Sequence, residues 1–146
     1  MAIYIRKALI EDCDRIHLIN EEEMGYIYSI QDARKQLKEL LEDDRHAIYV
    51  AELNGNVIGY IHANDYTLLY APPFKNIMGI AVCSKYKRKG VGRMLLDAVE
   101  TWGMNTGAQG IRLVSGADRQ GAHAFYRECG YMESKNQKNF KKYMVD

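Results

Sequence analysis

A basic, glycine-containing segment carries the clearest chemical signal in this sequence. Residues 85–93 read Lys-Tyr-Lys-Arg-Lys-Gly-Val-Gly-Arg and lie between an apolar run and an amphipathic pattern. Gly90 and Gly92 let the backbone approach an anion closely, because neither residue carries a Cβ atom. If a helix starts there, its first amides and the positive end of its dipole point at the same anion. The segment therefore predicts an anion site that suits a diphosphate.

Two other phosphate motifs do not fit the segment. A nucleoside-triphosphate loop requires Gly-Lys followed by Ser or Thr, and a dinucleotide fold requires three spaced glycines with a later acidic residue. Neither pattern is present. A nucleotide-phosphate-binding protein and a solvated turn remain as alternatives. The basic residues are accounted for by an anion cradle, so we expect no nucleic-acid partner.

A second pattern with chemical potential lies further along the chain. Ala122, Phe125, Tyr126 and Cys129 recur at helical spacing, and Gly130 follows as a C-terminal cap. A tyrosine hydroxyl within hydrogen-bond reach of a departing thiolate can supply its proton. Aromatic residues at helical spacing also pack in cores. The spacing by itself therefore leaves both roles open for Tyr126.

Apolar periodicity and capping signals predict the elements that must position these residues. In the N-terminal part they are a strand at 2–8, a helix from Glu11 and Asp12 to about Asn20, an irregular stretch at 21–28, and a helix opened by the capping-box pair Ser29 and Asp32. The second helix should pack its leucine-rich face on a sheet.

The rest of the chain predicts a strand-rich region followed by a strand-loop-helix-strand unit. The predicted elements are strands at 47–53, 57–69, 77–82 and 111–114, helices from Val91 to about Gly107 and at 122–129, and two final strands starting at Tyr131 and at Phe140. Asn54-Gly55 favours a tight hairpin turn. The nearly continuous apolar run at 77–82 favours a strand buried on both faces. The basic segment thus falls between a strand and a helix.

Composition indicates one intracellular globular domain over residues 1–146. The three cysteines are odd in number and form no CxxC pair, and the four histidines are scattered, so neither a disulfide framework nor a metal site is expected. No apolar stretch approaches the length of a membrane span. The net charge of +1 does not indicate nucleic acid or an acidic membrane as a partner. We expect a cytoplasmic protein without a membrane partner.

Together the two patterns resemble the GNAT family of N-acetyltransferases. Residues 87–92, Lys-Arg-Lys-Gly-Val-Gly, are similar to the family pattern Gln/Arg-x-x-Gly-x-Gly/Ala, with Lys87 at the first position. Residues 122–131 are similar to Ala-x-x-Phe-Tyr-x-x-x-Gly-Phe/Tyr. The resemblance implies an α+β fold whose mixed, mostly antiparallel sheet is flanked by helices and splayed between its fourth and fifth strands.

The resemblance also implies roles for individual residues. The cosubstrate would be acetyl-CoA, with Tyr126 as the general acid that protonates departing CoA. Strand backbone would pair with the pantetheine amides, and loop amides would hold the pyrophosphate. The implied cofactor-binding residues are Ile80, Ala81, Val82, Lys87, Arg88, Lys89, Gly90, Val91, Gly92 and Arg93. Cys83, at the mouth of this site, is expected to be a small strand-end residue without a nucleophilic role.

The acceptor and the general base are left open by the sequence. Candidate bases are Glu21, Glu22, Glu23, His62 and Asp65, and candidate pocket residues are Tyr26, Tyr28, Tyr60, Tyr66 and Tyr70. The acceptor would be a small-molecule or peptide amine. The resemblance favours a homodimer, because many members pair through their C-terminal strands. A noncatalytic acyl-CoA-binding or sensory module is the alternative function.

Overall fold

A five-stranded mixed sheet organises the computed structural model of the protein, which describes residues 2–145. The strands lie in the order β1-β2-β3-β4-β5. Neighbours from β1 to β4 are antiparallel, and β5 is parallel to β4. The strands are β1 (Ile3–Lys7), β2 (His46–Leu53), β3 (Asn56–Tyr66), β4 (Phe74–Val82) and β5 (Gly110–Leu113). The predicted α+β class with a mixed, mostly antiparallel sheet is confirmed.

The helices and strands divide into two compact units, with the boundary between Leu113 and Val114. The first unit holds the sheet and three α-helices, and the second holds one helix. The helices are α1 (Cys13–Met24), α2 (Ile30–Leu41), α3 (Val91–Asn105) and α4 (Gln120–Glu128). Among the described residues, no helix is both long and apolar enough to cross a bilayer.

Helices cover both faces of the sheet in the first unit. Ile48 and Val50 of β2 belong to a buried cluster with α1 and α2 residues such as Ile19 and Leu37. Successive strand side chains point to opposite faces. Tyr49 accordingly lies with the α3 side chains that line the other face. Each face therefore has its own apolar core, and α3 buries Leu95, Leu96 and Val99 almost completely.

Two predicted local signals are present as expected. Asn54 and Gly55 both have positive φ angles, 51° and 81°, which is the conformation of a two-residue hairpin turn with the twist that strands require. Ser29 caps α2, because its Oγ accepts a hydrogen bond from the Asp32 amide at 3.2 Å. The β2-β3 hairpin and the start of α2 were thus readable from sequence.

The prediction of an irregular stretch at 21–28 is wrong in its first part. Helix α1 continues through Met24 and ends at Gly25, whose φ of 71° allows the left-handed C-cap. The acidic residues that interrupt the apolar pattern lie on the helix, where Glu21 pairs with His17 one turn earlier at 3.1 Å. A polar face was therefore mistaken for the absence of a helix.

The two predicted C-terminal strands are also wrong. Residues 131–145 contain no strand within the described chain, and their large apolar side chains are solvent-exposed, including Phe140 at 87% and Val145 at 82%. A strand requires a neighbour for its backbone hydrogen bonds. No described strand pairs with this segment, so its alternating apolar pattern is not sufficient to make a strand.

An ion pair anchors the start of α1 to the sheet. Arg6 donates to both oxygens of the Asp12 carboxylate at 2.8 and 2.9 Å, and the Leu9 amide donates to the same group at 2.7 Å. The Asp12 side chain is only 7% exposed. Burial alone would raise the pKa of Asp12, but the hydrogen bonds from Arg6 and Leu9 outweigh it and lower that pKa.

We expect Asp12→Asn to reduce the free energy of unfolding by about 2 kcal/mol at pH 7, because it removes the charge from a largely buried pair. Arg6 is 30% exposed and also contacts Glu52, so the loss stays below that of a fully buried pair. Urea unfolding measures it. Asp14→Asn, at an ion-paired position that is 75% exposed, is the control.

The Arg6–Asp12 pair also predicts how the stability difference between the wild type and Asp12→Asn depends on pH. Because the folded-state pKa of Asp12 is lowered, its contribution is present above the ordinary value of 3.8 and is lost as the pH falls through the lower folded value. The stability gap between the wild type and Asp12→Asn should therefore close at acid pH. A gap that is constant down to pH 3 would contradict the assignment.

Candidate active site

The edge of β4 is partly open. Strand β4 pairs with β5 only from Phe74 to Ile77, opposite Gly110 to Leu113. The rest of β4, through Val82, extends beyond β5 and has no β5 partner among the described residues. The main-chain N–H and C=O groups along this edge are therefore available to a polar, extended ligand. Ile80, Ala81 and Val82, the predicted pantetheine-pairing residues, lie on this stretch.

A β-bulge lies where β4 leaves β5. His62 of β3 is opposite Gly79 and Ala63 is opposite Ile77, so Met78 is the extra residue. The bulge leaves Met78 57% exposed, which corrects the prediction of a strand buried on both faces. Gly79 faces Tyr60, since a Cβ at Gly79 would lie 3.5 Å from the Tyr60 hydroxyl.

The predicted strand-loop-helix junction follows β4. A short 3₁₀ turn at Ser84–Tyr86 leads into the loop, and α3 begins at Val91 with Gly90 as its N-cap. Gly90 has a φ of 83° and Arg88 a φ of 63°, so both adopt the left-handed conformation. Such strain in a residue other than glycine is common where a loop must hold a ligand.

The junction has the properties of an anion cradle. No side chain caps the start of α3, and the first amides of a helix have no intrahelical acceptor. The helix dipole adds positive potential at the same end. Lys85, Lys87, Arg88 and Lys89 are exposed around the loop. A diphosphate fits this geometry and this charge.

A carboxylate from α1 holds the loop in place. Glu23 accepts hydrogen bonds from the Ser84 amide at 3.0 Å and from Ser84 Oγ at 2.6 Å, and Lys87 Nζ lies 3.7 Å from it. The hydrogen bond from Ser84 lowers the pKa of Glu23. Glu23, a candidate base, is therefore engaged in anchoring the loop. Its run of three acidic residues carries no sequence signal for this contact.

A cavity of about 540 Å³ lies between α1, α2 and the sheet. Of the candidate pocket tyrosines, Tyr26, Tyr28 and Tyr60 line it, whereas Tyr66 and Tyr70 do not. The Tyr66 ring instead stacks under the Arg112 guanidinium at 4.3 Å, and Tyr70 is 85% exposed. The volume falls within the range of small-molecule sites.

One candidate base lines the cavity. His62 is part of its wall, and its Nε2 lies 2.9 Å from His46 Nδ1. Burial, with a smaller contribution from His46, lowers the pKa of His62 to about 4. Asp65 is bound by Lys75 Nζ at 2.5 Å, and Glu21 by His17. Neither Glu21 nor Glu22 lines the cavity.

The second unit contains Tyr126. Its side chain is half-buried on α4, with ring centroids 5.4 Å from Phe125 and 6.3 Å from Tyr131. Burial raises the pKa of Tyr126, and Arg119 offsets this in part. The hydroxyl is therefore protonated at neutral pH, as a proton donor must be. In the first unit, burial likewise raises the pKa of Cys83, which disfavours its thiolate.

Comparison with known proteins identifies the class. The model of the GNAT acetyltransferase family matches residues 13–131, and the chain belongs to that family. A type 1 aminoglycoside N(6')-acetyltransferase of Stenotrophomonas maltophilia is 28% identical, with 76% of each chain covered. An N-alpha-acetyltransferase of Sulfurisphaera tokodaii is 29% identical, covering 90% of this chain and 81% of that protein. The predicted N-acetyltransferase class is thereby confirmed.

The fold agrees with this membership. The aminoglycoside N-acetyltransferase AAC(6')-Iy, solved with the bisubstrate analogue CoA-S-monomethyl-acetylneamine, superposes with a TM-score of 0.87 over 98% of this chain and 99% of that one. The two sequences are 20% identical. At 20% identity the likeness establishes the shared fold and does not identify the acceptor substrate.

Proposed function

We propose that the protein transfers an acetyl group from acetyl-CoA to a primary amine of a small molecule or peptide. The observation that carries the proposal is the continuity of two binding features on one stretch of chain. The open edge of β4 leads through one short loop to the uncapped start of α3. An extended amide-rich arm and a diphosphate, the two parts of CoA, match these features in that order.

The donor would be held mainly by backbone groups. Ile80, Ala81 and Val82 would pair with the pantetheine amides, and the loop and first helical turn would hold the pyrophosphate. The residues proposed for the second role are Lys87, Arg88, Lys89, Gly90, Val91, Gly92 and Arg93. The bulge at Met78 turns nearby main-chain groups away from the regular hydrogen-bonding pattern of the sheet. A main-chain N–H group in this region would then be able to donate a hydrogen bond to the oxyanion that forms during acyl transfer.

Acetyl transfer would be direct. The amine attacks the thioester carbonyl, the C–S bond breaks, and CoA leaves as a thiolate that Tyr126 protonates. The nitrogen of the new amide loses one proton to water, and water returns a proton to the Tyr126 phenolate, so the products are the amide and the CoA thiol. The raised pKa of Cys83 argues against a covalent acetyl-cysteine step. The acceptor would occupy the cavity between α1 and α2, because its wall includes Tyr60, whose hydroxyl lies beside Gly79 on the β4 strand.

Calorimetry and a thiol-release assay test the proposal together. We expect CoA to bind with measurable heat and ATP to bind far more weakly, because ATP lacks the pantetheine arm. We also expect acetyl-CoA to release thiol in the presence of an amine. CoA binding without turnover on any amine would indicate a noncatalytic acyl-CoA-binding module. A preference for ATP would indicate a nucleotide-phosphate-binding protein.

The proposed reaction predicts that His62 does not set its pH dependence. With a pKa of about 4, His62 stays neutral across the range from about pH 6 to 9 in which enzyme groups and amines titrate. The inflections of kcat/KM against pH should therefore fall at the same pH in the wild type and in His62→Gln. An inflection near pH 6.5 that disappears in His62→Gln would contradict this.

We propose in addition that the two units act as one catalytic domain. We also propose that the protein forms a homodimer. The support for the dimer is the row of exposed apolar residues in the C-terminal segment, which includes Met132, Phe140 and Met144. Covering them by a second copy would remove apolar surface from water. Sedimentation equilibrium tests the dimer, and a monomer at all concentrations would exclude it.

A further inference from the structure

The wall of the cavity is mainly apolar and aromatic. Its residues come from α1, α2, the connection between them, and strands β2 and β3. They are Cys13, Ile16, His17, Asn20, Gly25, Tyr26, Ile27, Tyr28, Ala33, Gln36, Leu37, Leu40, Ile48, Tyr60 and His62. Among these lining residues, all within the described chain, there is no Asp, Glu, Lys or Arg.

The polar side chains of the wall are largely engaged with protein partners. The Tyr60 hydroxyl donates a hydrogen bond to Asn20 Oδ1 at 2.5 Å, and His62 contacts His46. His17 Nε2 lies 2.7 Å from the Tyr28 carbonyl oxygen. The Tyr28 hydroxyl donates to Gln36 Oε1. The wall therefore presents mainly ring faces and aliphatic groups to an occupant.

Two carboxylates close to the cavity in sequence are engaged with other groups. Glu21 pairs with His17 Nδ1 at 3.1 Å, and Glu23 accepts from Ser84. An ammonium group that enters this cavity finds tyrosine rings and amide oxygens, without a lining carboxylate to neutralise it. Moving a charge out of water without such a partner is unfavourable. The cost is repeated for every further ammonium on the same molecule.

From these contacts we propose that the acceptor is a small primary monoamine with an aromatic or branched aliphatic body, rather than a polyamine or an aminoglycoside. The inference rests on the proposed acetyl-transfer function and specifies its acceptor. The body fits the aromatic and aliphatic wall, and the amine is directed toward Tyr60 and Gly79. A single amine has only one charge to lose on entry.

The same surroundings explain how the acceptor becomes nucleophilic. Removing an ammonium from water favours its neutral form, so its pKa falls in the cavity. A neutral amine is the form that attacks the thioester, and its proton leaves to water on entry. This accounts for the lack of a free carboxylate in the cavity wall. A polycation would retain charge on the groups that do not react.

The test measures acetyl-CoA thiol release with 2-phenylethylamine, tyramine, spermidine and neamine as acceptors. We expect kcat/KM to be higher for the two monoamines by about 100-fold, which corresponds to about 2.7 kcal/mol. Turnover that favours spermidine or neamine would overturn the inference and leave the proposed function standing. Absence of thiol release with all four amines, in a protein that releases thiol with a peptide or another amine, would overturn the inference alone. Absence of release with every amine and peptide, in a protein that binds CoA, would overturn the proposed function as well.

A charge introduced into the wall provides the second arm. Gln36→Glu is isosteric, and its carboxylate can still accept the Tyr28 hydroxyl hydrogen bond. We expect it to shift the ratio of kcat/KM values toward spermidine and neamine by about tenfold. Gln31→Glu, at a position on the same helix outside the lining, is the matched control and should leave the ratio unchanged. An unchanged ratio in Gln36→Glu would overturn the inference.

Discussion

Tyr126→Phe is expected to lower kcat by about 10²- to 10⁴-fold, the usual contribution of a general acid. The substitution removes one hydroxyl and keeps the ring that packs beside Phe125 and Tyr131. CoA then leaves as an unprotonated thiolate, which slows the collapse of the tetrahedral intermediate. The affinity for acetyl-CoA should be unchanged, because binding is proposed to depend on backbone groups of β4 and the following loop.

The measurement compares steady-state kcat with the calorimetric affinity for CoA. Tyr131→Phe is the matched control, because it removes a hydroxyl from the same aromatic group at a position where the family pattern accepts Phe or Tyr. We expect its kcat to remain within about twofold of the wild type. If Tyr126→Phe retained full kcat, the general-acid role would have to be withdrawn, while acetyl transfer itself would still stand.

Gly90→Val is expected to weaken CoA binding by about 5- to 30-fold. A left-handed φ costs a residue with a Cβ about 1–2 kcal/mol, and a β-branched side chain makes it worse. The free loop can relieve that cost by moving, but it must restore the original conformation to bring the first amides of α3 onto the diphosphate. The strain therefore lowers the affinity for CoA. Isothermal titration calorimetry with CoA measures the loss.

A second glycine makes this result specific. Gly107 has the same φ of 83°, and, as at Gly90, a Cβ there would meet nothing within 4 Å. It lies just beyond the C-terminal end of α3, away from the proposed cradle. Gly107→Val should therefore lose similar folding stability and keep its CoA affinity. Equal loss of affinity in both variants would mean that the Gly90 effect is one of stability alone.

Much of the fold was predictable because its signals are local. The Asn54-Gly55 turn sets the β2-β3 hairpin through two positive φ angles. Ser29 begins α2 through a contact three residues away. Gly90 marks the start of α3 through its own positive φ angle. Each of these features depends on a few adjacent residues, so the chain itself contains the information.

The errors arose where a pattern needed a partner. The helical extension to Met24 looked irregular, because its acidic residues face solvent or bind distant groups. Residues 131–145 alternate like strands but find no pairing neighbour among the described residues. The bulge at Met78 depends on how β3 aligns with β4, which is not written in the sequence of β4 alone. Periodicity predicts which side chains avoid water and leaves open what they pack against.

The candidate site shows the same division between near and distant information. By itself the sequence predicted an anion cradle, placed a tyrosine on the last helix and indicated the family, because these predictions depend on motifs of about ten residues or fewer. Only the tertiary structure decided that Glu23 anchors Ser84 and that Tyr60 donates to Asn20 in the cavity wall. These partners are far apart along the chain and meet only when helices pack on the sheet. The choice of acceptor depends on that packing, which sets the charges and the space that an entering amine encounters.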